Sequence, residues 1–331
     1  MSLSSRSLLT ALCLLLLPLV LSGCGEEKEL DQKYEELKKT PVPKGLAPQF
    51  NFDRLDLMFP KGSEEALLAK DAQIILDERE IHYEKLKDAL DMYDAILRKL
   101  PQKSYGACQT EVSNPKYKPA GICNQWANIH AKKSEVHYYM GELHSIPKIQ
   151  QNLFRQGKED GEEGQNYNKF SVAALFWTAS NYGSWLRTSV DFIWTNIWAQ
   201  FPHREELLPG PKTVELLLLK AEEVDPDFRK GGIQRVLGRT YHKTPSKYLP
   251  DKDCPALAEG YLKRALKKNP QSHYAHFFLF EFYKDQGRVG EAVKEAQWLV
   301  KNANSKDFSK KFPISARKEL EAATPYLNEH Q

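Results

Sequence analysis

The chain has 331 residues and a formal net charge of +3, from 47 basic against 44 acidic side chains. That length fits one large or two ordinary domains, and the near balance of charge excludes a global field that would draw in nucleic acid. No G-x-S-x-G, H-E-x-x-H, Walker-type or dinucleotide glycine motif occurs in it, so no catalytic residue, metal site or cofactor is indicated by a motif.

The N-terminus reads as an export signal. Arg6 precedes an apolar run from Leu8 to Leu21, shorter than the roughly 20 residues a membrane span needs, and the run ends in Leu21-Ser22-Gly23-Cys24. These four residues resemble the bacterial lipobox L-[AS]-[GA]-C. The resemblance implies a signal peptide over 1–23, acylation of Cys24, and a lipid anchor that holds the chain on an envelope membrane facing the periplasm. Gly25 stands where some lipoproteins carry an inner-membrane-retaining Asp, which favours the outer membrane. Residues 24–48 are polar and charged, with Pro41, Pro43 and Pro48 near the end, a composition suited to a tether. A single helical-repeat domain is expected over 49–331.

From Ser63 to Leu100 apolar residues such as Leu67, Leu68, Ile74, Ala89, Tyr93 and Ile96 fall close to an i, i+3, i+4, i+7 stripe, which predicts a first hairpin with Ser63 as its cap. An irregular loop is expected over about 101–122, broken by Gly106, Pro115, Pro119 and Gly121. An oxidising periplasm makes a Cys108–Cys123 disulfide reasonable there, although Cys108, Cys123 and Cys254 leave one thiol unpaired whichever bridge forms. His130, His137 and His144 recur every seven residues on the next helix. At about 1.5 Å rise per residue neighbours in this row are about 10 Å apart, too far to share a metal, so the row predicts a solvated or partner-facing stripe.

Gly157 to Gln165, acidic and glycine-containing, reads as a loop. Tyr167 to Trp198 is the most apolar part of the mature chain, and a helix apolar nearly all round is buried between others. Within it Trp177, Asn181 and Trp185 step by four and share one face. An aromatic stripe at helical spacing ordinarily packs a core, but an Asn between two tryptophans favours a cleft, so Trp177, Asn181, Tyr182 and Trp185 are candidate ligand- or partner-binding residues.

The clearest pattern lies further along the chain. Ala258, Leu262, Ala265 and Pro270 stand in the order A-x3-L-x2-A-x4-P, the second-helix signature of a tetratricopeptide hairpin, and Leu237, Gly238 and Tyr241 supply its first helix. Leu279, Tyr283, Gly287, Ala292, Ala296 and Leu299 repeat the frame. Val214, Leu218, Ala221 and Pro226, and then Ala89, Tyr93, Ile96 and Pro101, echo it upstream. Gly238 to Ala258 is about eight residues longer than the consensus allows, so the array is irregular. The expected fold is all-α, an irregular α-solenoid of tetratricopeptide-like hairpins, closed by a helix over Pro313 to Leu327.

The order of lipobox Cys, helical hairpins, the run from Ala174-Leu175-Phe176-Trp177 through Asn181-Tyr182-Gly183 to Trp185-Leu186, then Asp225-Pro226-Asp227-Phe228, Gly231-Gly232 and Leu237-Gly238, resembles the lipoproteins called the T component of TRAP transporters. Pro250 to Pro255 departs from the Gly-Gly-Asp common there. The resemblance implies a periplasmic, membrane-anchored protein that contacts a substrate-binding protein of the transporter and holds ligand cavities, without catalysis. Two classes of function result. The favoured one is a non-enzymatic binding module for a protein partner or a small organic ligand; the alternative is an envelope-polymer hydrolase or a general assembly scaffold. A cleft with two facing carboxylates, one of raised pKa, would favour hydrolysis.

Overall fold

The structure is a computed structural model that describes residues 36, 39–42, 52–80, 83–113, 121–194 and 210–330, without the side chains of 189–194 and Lys247. The expected signal peptide over 1–23, the candidate lipidation residue Cys24 and most of the expected tether over 24–48 lie outside these residues. The chain divides into two compact units, Met1–Pro41 and Val42–Gln331, and the helical array belongs to the second.

Among the described residues this unit is all-α. Its helices are α1 Glu64–Asp77, α2 Leu86–Lys99, α3 Tyr105–Val112, α4 Ile122–Leu143, α5 Pro147–Tyr167, α6 Val172–Trp194, α7 Gly210–Val224, α8 Gly232–Lys243, α9 Cys254–Lys268, α10 His273–Asp285, α11 Val289–Ala303, α12 Lys306–Lys311 and α13 Pro313–His330. Each packs mainly on its neighbours in sequence, α1 on α2, α4 on α5 and α6, α6 on α7, α8 on α9, α10 on α11, and α11 on α13, the pattern of an irregular solenoid. None is long and apolar enough to cross a membrane.

Local chemistry sets the starts. Ser63 Oγ accepts from Ala66 N at 3.2 Å with Glu64 and Glu65 in the first turn of α1, and Ser104, Asp253, Ser272 and Ser305 cap α3, α9, α10 and α12 in the same way. Along α2, Leu86, Ala89, Tyr93, Ile96 and Leu97 form one buried stripe. The tetratricopeptide frame of α8 and α9 marks their closest approach. A Cβ on Gly238 would come within 2.6 Å of Leu262 Cγ, and Ala258 and Leu262 are fully buried. Gly287 takes φ +67° in the turn between α10 and α11, a conformation that favours glycine.

Three expectations need correction. Gly157 to Gln165 is helical within α5, because Gly157, Gly161 and Gly164 form a stripe without Cβ atoms that lets α5 approach its neighbours. A Cβ would lie 2.3 Å from Asn181 Oδ1 at Gly157, 2.2 Å from Thr178 Oγ1 at Gly161 and 2.9 Å from Ala127 O at Gly164. The 101–122 segment contains α3, tied to α4 through the Cys108–Cys123 disulfide; residues 114–120 lie outside the described ones. The histidine row is packed rather than solvated. His130 stacks with Trp126 and Tyr167 at 6.0 and 5.9 Å, His137 Nδ1 lies 2.7 Å from Asp160, and His144 Nδ1 accepts from Ile146 N.

The last helix returns to the first hairpin. Glu80, just beyond α1, accepts from the amides of Ile314 and Ser315 at 2.9 and 2.8 Å and from the Ser315 hydroxyl, which caps α13 with a carboxylate from the far end of the array.

Candidate functional site

The contact between Glu80 and α13 holds Arg79, just beyond α1, beside Tyr139 of α4 and near Tyr274 of α10. Arg79 donates to Leu76 O at 3.1 Å, and its guanidinium lies 4.1 Å over the Tyr139 ring and 5.0 Å over Phe312. Tyr138 and Tyr139 pack edge-on to each other at 5.5 Å, and both meet Trp177 of α6, at 5.3 and 5.7 Å. Arg235 of α8 lies 5.3 Å over Tyr274 of α10. Arginine guanidiniums over aromatic faces gain electrostatic attraction while keeping their donors free for other partners.

A buried ion cluster forms the floor. Lys132 is fully buried, 3.0 Å from Glu135, 2.7 Å from Gln73 Oε1 and 4.0 Å over the Phe52 ring. Arg229 reaches the same Glu135 at 2.5 Å and Asp53 at 2.9 Å, and its guanidinium lies 5.0 Å over Trp177. Burial pushes the Glu135 carboxyl up, but Arg229 and Lys132 outweigh it and hold it below the usual range. Burial pulls the Lys132 ammonium down even with Glu135 beside it.

Backbone strain aims Arg229 inward. Arg229 and Lys230 both have positive φ, +49° and +50°, and Gly231 follows at +91°. Two non-glycine residues in the left-handed region cost about 1–3 kcal/mol each and persist only where the surroundings over-determine them. Here the Arg229 ion pairs and its ring contact supply that constraint.

The candidate residues read from the sequence separate. Trp177 belongs to the aromatic wall with Tyr138, Tyr139 and Arg229. Asn181 lies in the helix packing instead, fully buried, where its Nδ2 donates to Ser134 O, Ser134 Oγ and Trp177 O at 2.9–3.0 Å and its Oδ1 faces Gly157. Tyr182 and Trp185 pair with each other at 5.9 Å, and no ring contact joins Trp185 to Trp177 among the described residues. Four steps along α6 therefore cross from the inner wall into the interface with α5. Sequence reasoning misses Arg79, Arg229, Arg235, Tyr138, Tyr139 and Tyr274; the one local signal is the Gly231-Gly232 pair that follows the strained turn.

Among the described residues no three His, Cys, Asp or Glu converge as metal ligands. Burial raises the Glu319 carboxyl against its hydrogen bond with His273, and the nearby Glu80 carboxylate adds to the rise.

No family model matches the chain, and no curated protein matches it in sequence. Among solved structures it is similar to a thermophilic TPR protein from Thermus thermophilus, with 16% identity and a TM-score of 0.45 over 80% of this chain and all of that one. The hairpin assignment stands on this chain's own helices, in which the frame positions of α8 to α11 are the buried contacts.

Proposed function

We infer that the protein is a lipid-anchored, periplasm-facing helical-repeat scaffold whose inner face between α4, α8 and α10 binds a ligand or partner, in the manner of the T component accessory to a TRAP-type transporter. The observation that carries the binding reading is the half-buried Arg235 and the 40% exposed Tyr274 on that face, beside the strained turn that presents Arg229. Accessible aromatics and guanidiniums on an inner helical face are recognition chemistry, since they combine apolar area with directed donors. The lipobox residues support the anchor and the periplasmic location, and the run from Ala174 to Leu186 supports the transporter association.

Two experiments test these parts. Cys24→Ser, made with residues 1–23 replaced by a cleavable export signal so that the apolar run 8–21 is removed, should move the protein from the membrane to the soluble fraction; retention after a salt wash would overturn the lipid anchor. The full lipidated chain used as bait on solubilised envelopes should co-purify a periplasmic substrate-binding protein, and Tyr274→Ala should weaken that capture. Recovery of envelope assembly proteins alone would favour the general scaffold and end the transporter reading.

A further inference from the structure

The array closes on itself at one seam. Solenoid helices touch their neighbours in sequence, so an ordinary array ends in two free edges. Here Glu80, just beyond α1, caps α13, and the first hairpin meets the last helix across a sequence separation of 234. On the far side of the seam the packing is firm. Glu319 of α13 is bonded to His273 of α10 at 2.9 Å, Tyr326 meets Phe280 at 5.4 Å, and Phe308 of α12 stacks on His273 at 3.4 Å. These contacts tie α10 to α13 into one body. On the near side α1 packs on α2, and Arg79 lies over Tyr139 of α4.

Across the seam the packing is thin. Among the described residues no helix of α1 to α6 packs extensively on one of α10 to α13. The link is the Glu80 carboxylate, which accepts from Ile314 N, Ser315 N and the Ser315 hydroxyl, with the Phe312 ring 5.0 Å from the Arg79 guanidinium. α12, which leads into it, buries no residue. Such a link is close to balance. Glu80 is 8% exposed, so closing the seam strips water from a carboxylate, a cost set against the hydrogen bonds it accepts. Burial and the nearby Glu80 both raise the Glu319 carboxyl, so closure also sets two buried carboxylates against each other. With the seam open, water can serve the first amides of α13 instead.

We propose that this seam is a gate: α10 to α13 swing away from α1 as one body, and Glu80 is the latch that holds them closed. Arg229 precedes α8 and pins that end to Glu135 of α4, which leaves the flexing to small rotations of α10 against α8 and α9. The closed gate lies over the inner face, since Phe312 covers Arg79 and the Ser315 hydroxyl lies 3.4 Å from the Tyr274 hydroxyl. Opening therefore widens the approach to Tyr139 and Tyr274. That the gate controls what reaches the inner face rests on the binding reading above; that it opens does not.

The test reads the seam by pulsed electron paramagnetic resonance on the full chain in phosphatidylcholine nanodiscs. Nitroxides on Lys70→Cys of α1 and Lys318→Cys of α13, both exposed positions, span the seam, and a control pair on Lys301→Cys of α11 and Lys318→Cys lies within one body. Cys254 is buried, Cys108 and Cys123 are bonded to each other, and the chain without introduced cysteines is the blank. The expected result is that Glu80→Ala lengthens the seam distance by roughly 10 Å, the width of one helix, and leaves the control pair unmoved. Glu80→Gln keeps the volume and one acceptor oxygen and should give a smaller shift; it carries the comparison if the alanine variant fails to fold. An unchanged seam distance overturns the gate. Equal broadening of the seam and control pairs overturns it too, since α13 is then fraying by itself. A bismaleimide link between the two seam cysteines should lower capture of the periplasmic partner several-fold. Undiminished capture after linking overturns control of the inner face and leaves the scaffold reading standing. If neither the linked nor the unlinked chain captures a partner, the binding reading fails, and the distances still decide the gate.

Discussion

The hairpins α8 to α11 and the trio α4 to α6 are both close-packed helical bundles, yet they reach close packing by different means. In α8 to α11 small and large apolar residues alternate in a repeating frame, as where Gly238 receives Leu262, and the partners are about 20–30 residues apart. In the trio a glycine stripe on α5 receives polar side chains, Thr178 at Gly161 and Asn181 at Gly157, and the polar groups are then satisfied across helices, as Asn181 is by Ser134. The first design repeats one kind of apolar contact along the array. The second concentrates hydrogen bonds and charge in one place, and that place borders the candidate site.

The largest expected effect sharpens this contrast at the ion cluster. Glu135→Ala leaves Lys132 and Arg229 buried without their shared carboxylate and should cost about 3–5 kcal/mol in urea unfolding. The pH dependence follows from the depressed Glu135 pKa. Such a group contributes stability above its unfolded pKa of about 4.3, and that contribution is lost as pH falls through the folded value. Acidification below about pH 4 should therefore lower the melting temperature of the wild type more than that of Glu135→Gln. Equal acid sensitivity would mean that the cluster adds nothing to folding.

Next comes the bridge beside the trio. Cys108 and Cys123 close a loop with a sequence separation of 15, so replacing both by Ser should cost about 3 kcal/mol on the chain-entropy account. A reductant should reproduce the loss in the wild type and leave the double variant unmoved.

One substitution type then separates two kinds of glycine. Gly161→Ala puts a Cβ 2.2 Å from Thr178 Oγ1 and 3.0 Å from Thr178 N, and should destabilise by about 1–3 kcal/mol. Ala265→Leu should cost a similar amount in α9, where Ala265 is buried. Gly260→Ala, with nothing within 4 Å of the new Cβ, should instead stabilise by about 0.5–1 kcal/mol through helix propensity. Melting curves showing the same sign for Gly161→Ala and Gly260→Ala would contradict the stripe.

Much of the helical plan is legible in the residues themselves. Ser63, Ala258, Leu262, Pro270 and Gly287 do the local work their residue types predict, since caps, close contacts and turns depend on neighbours a few positions away. The 157–165 segment misleads because glycine argues for a turn by its own propensity. Its role in α5 depends on what faces it: Thr178 lies 17 positions beyond Gly161, and Asn181 lies 24 beyond Gly157. The histidine row misleads for a related reason. A period of seven shows that residues share a face and does not show what covers it.

The sequence by itself determined the class of fold, the hairpin frame of α8 to α11 and the helix starts, because periodicity and capping act over one or two turns of chain. Only the tertiary structure decided which residues meet on the inner face. Arg79, Tyr139, Arg235 and Tyr274 come from four helical neighbourhoods spread over nearly 200 positions, and no local rule links them. They converge because Glu80 caps α13 and because Arg229 holds a strained turn against Glu135, and both are contacts that exist only once distant helices have packed.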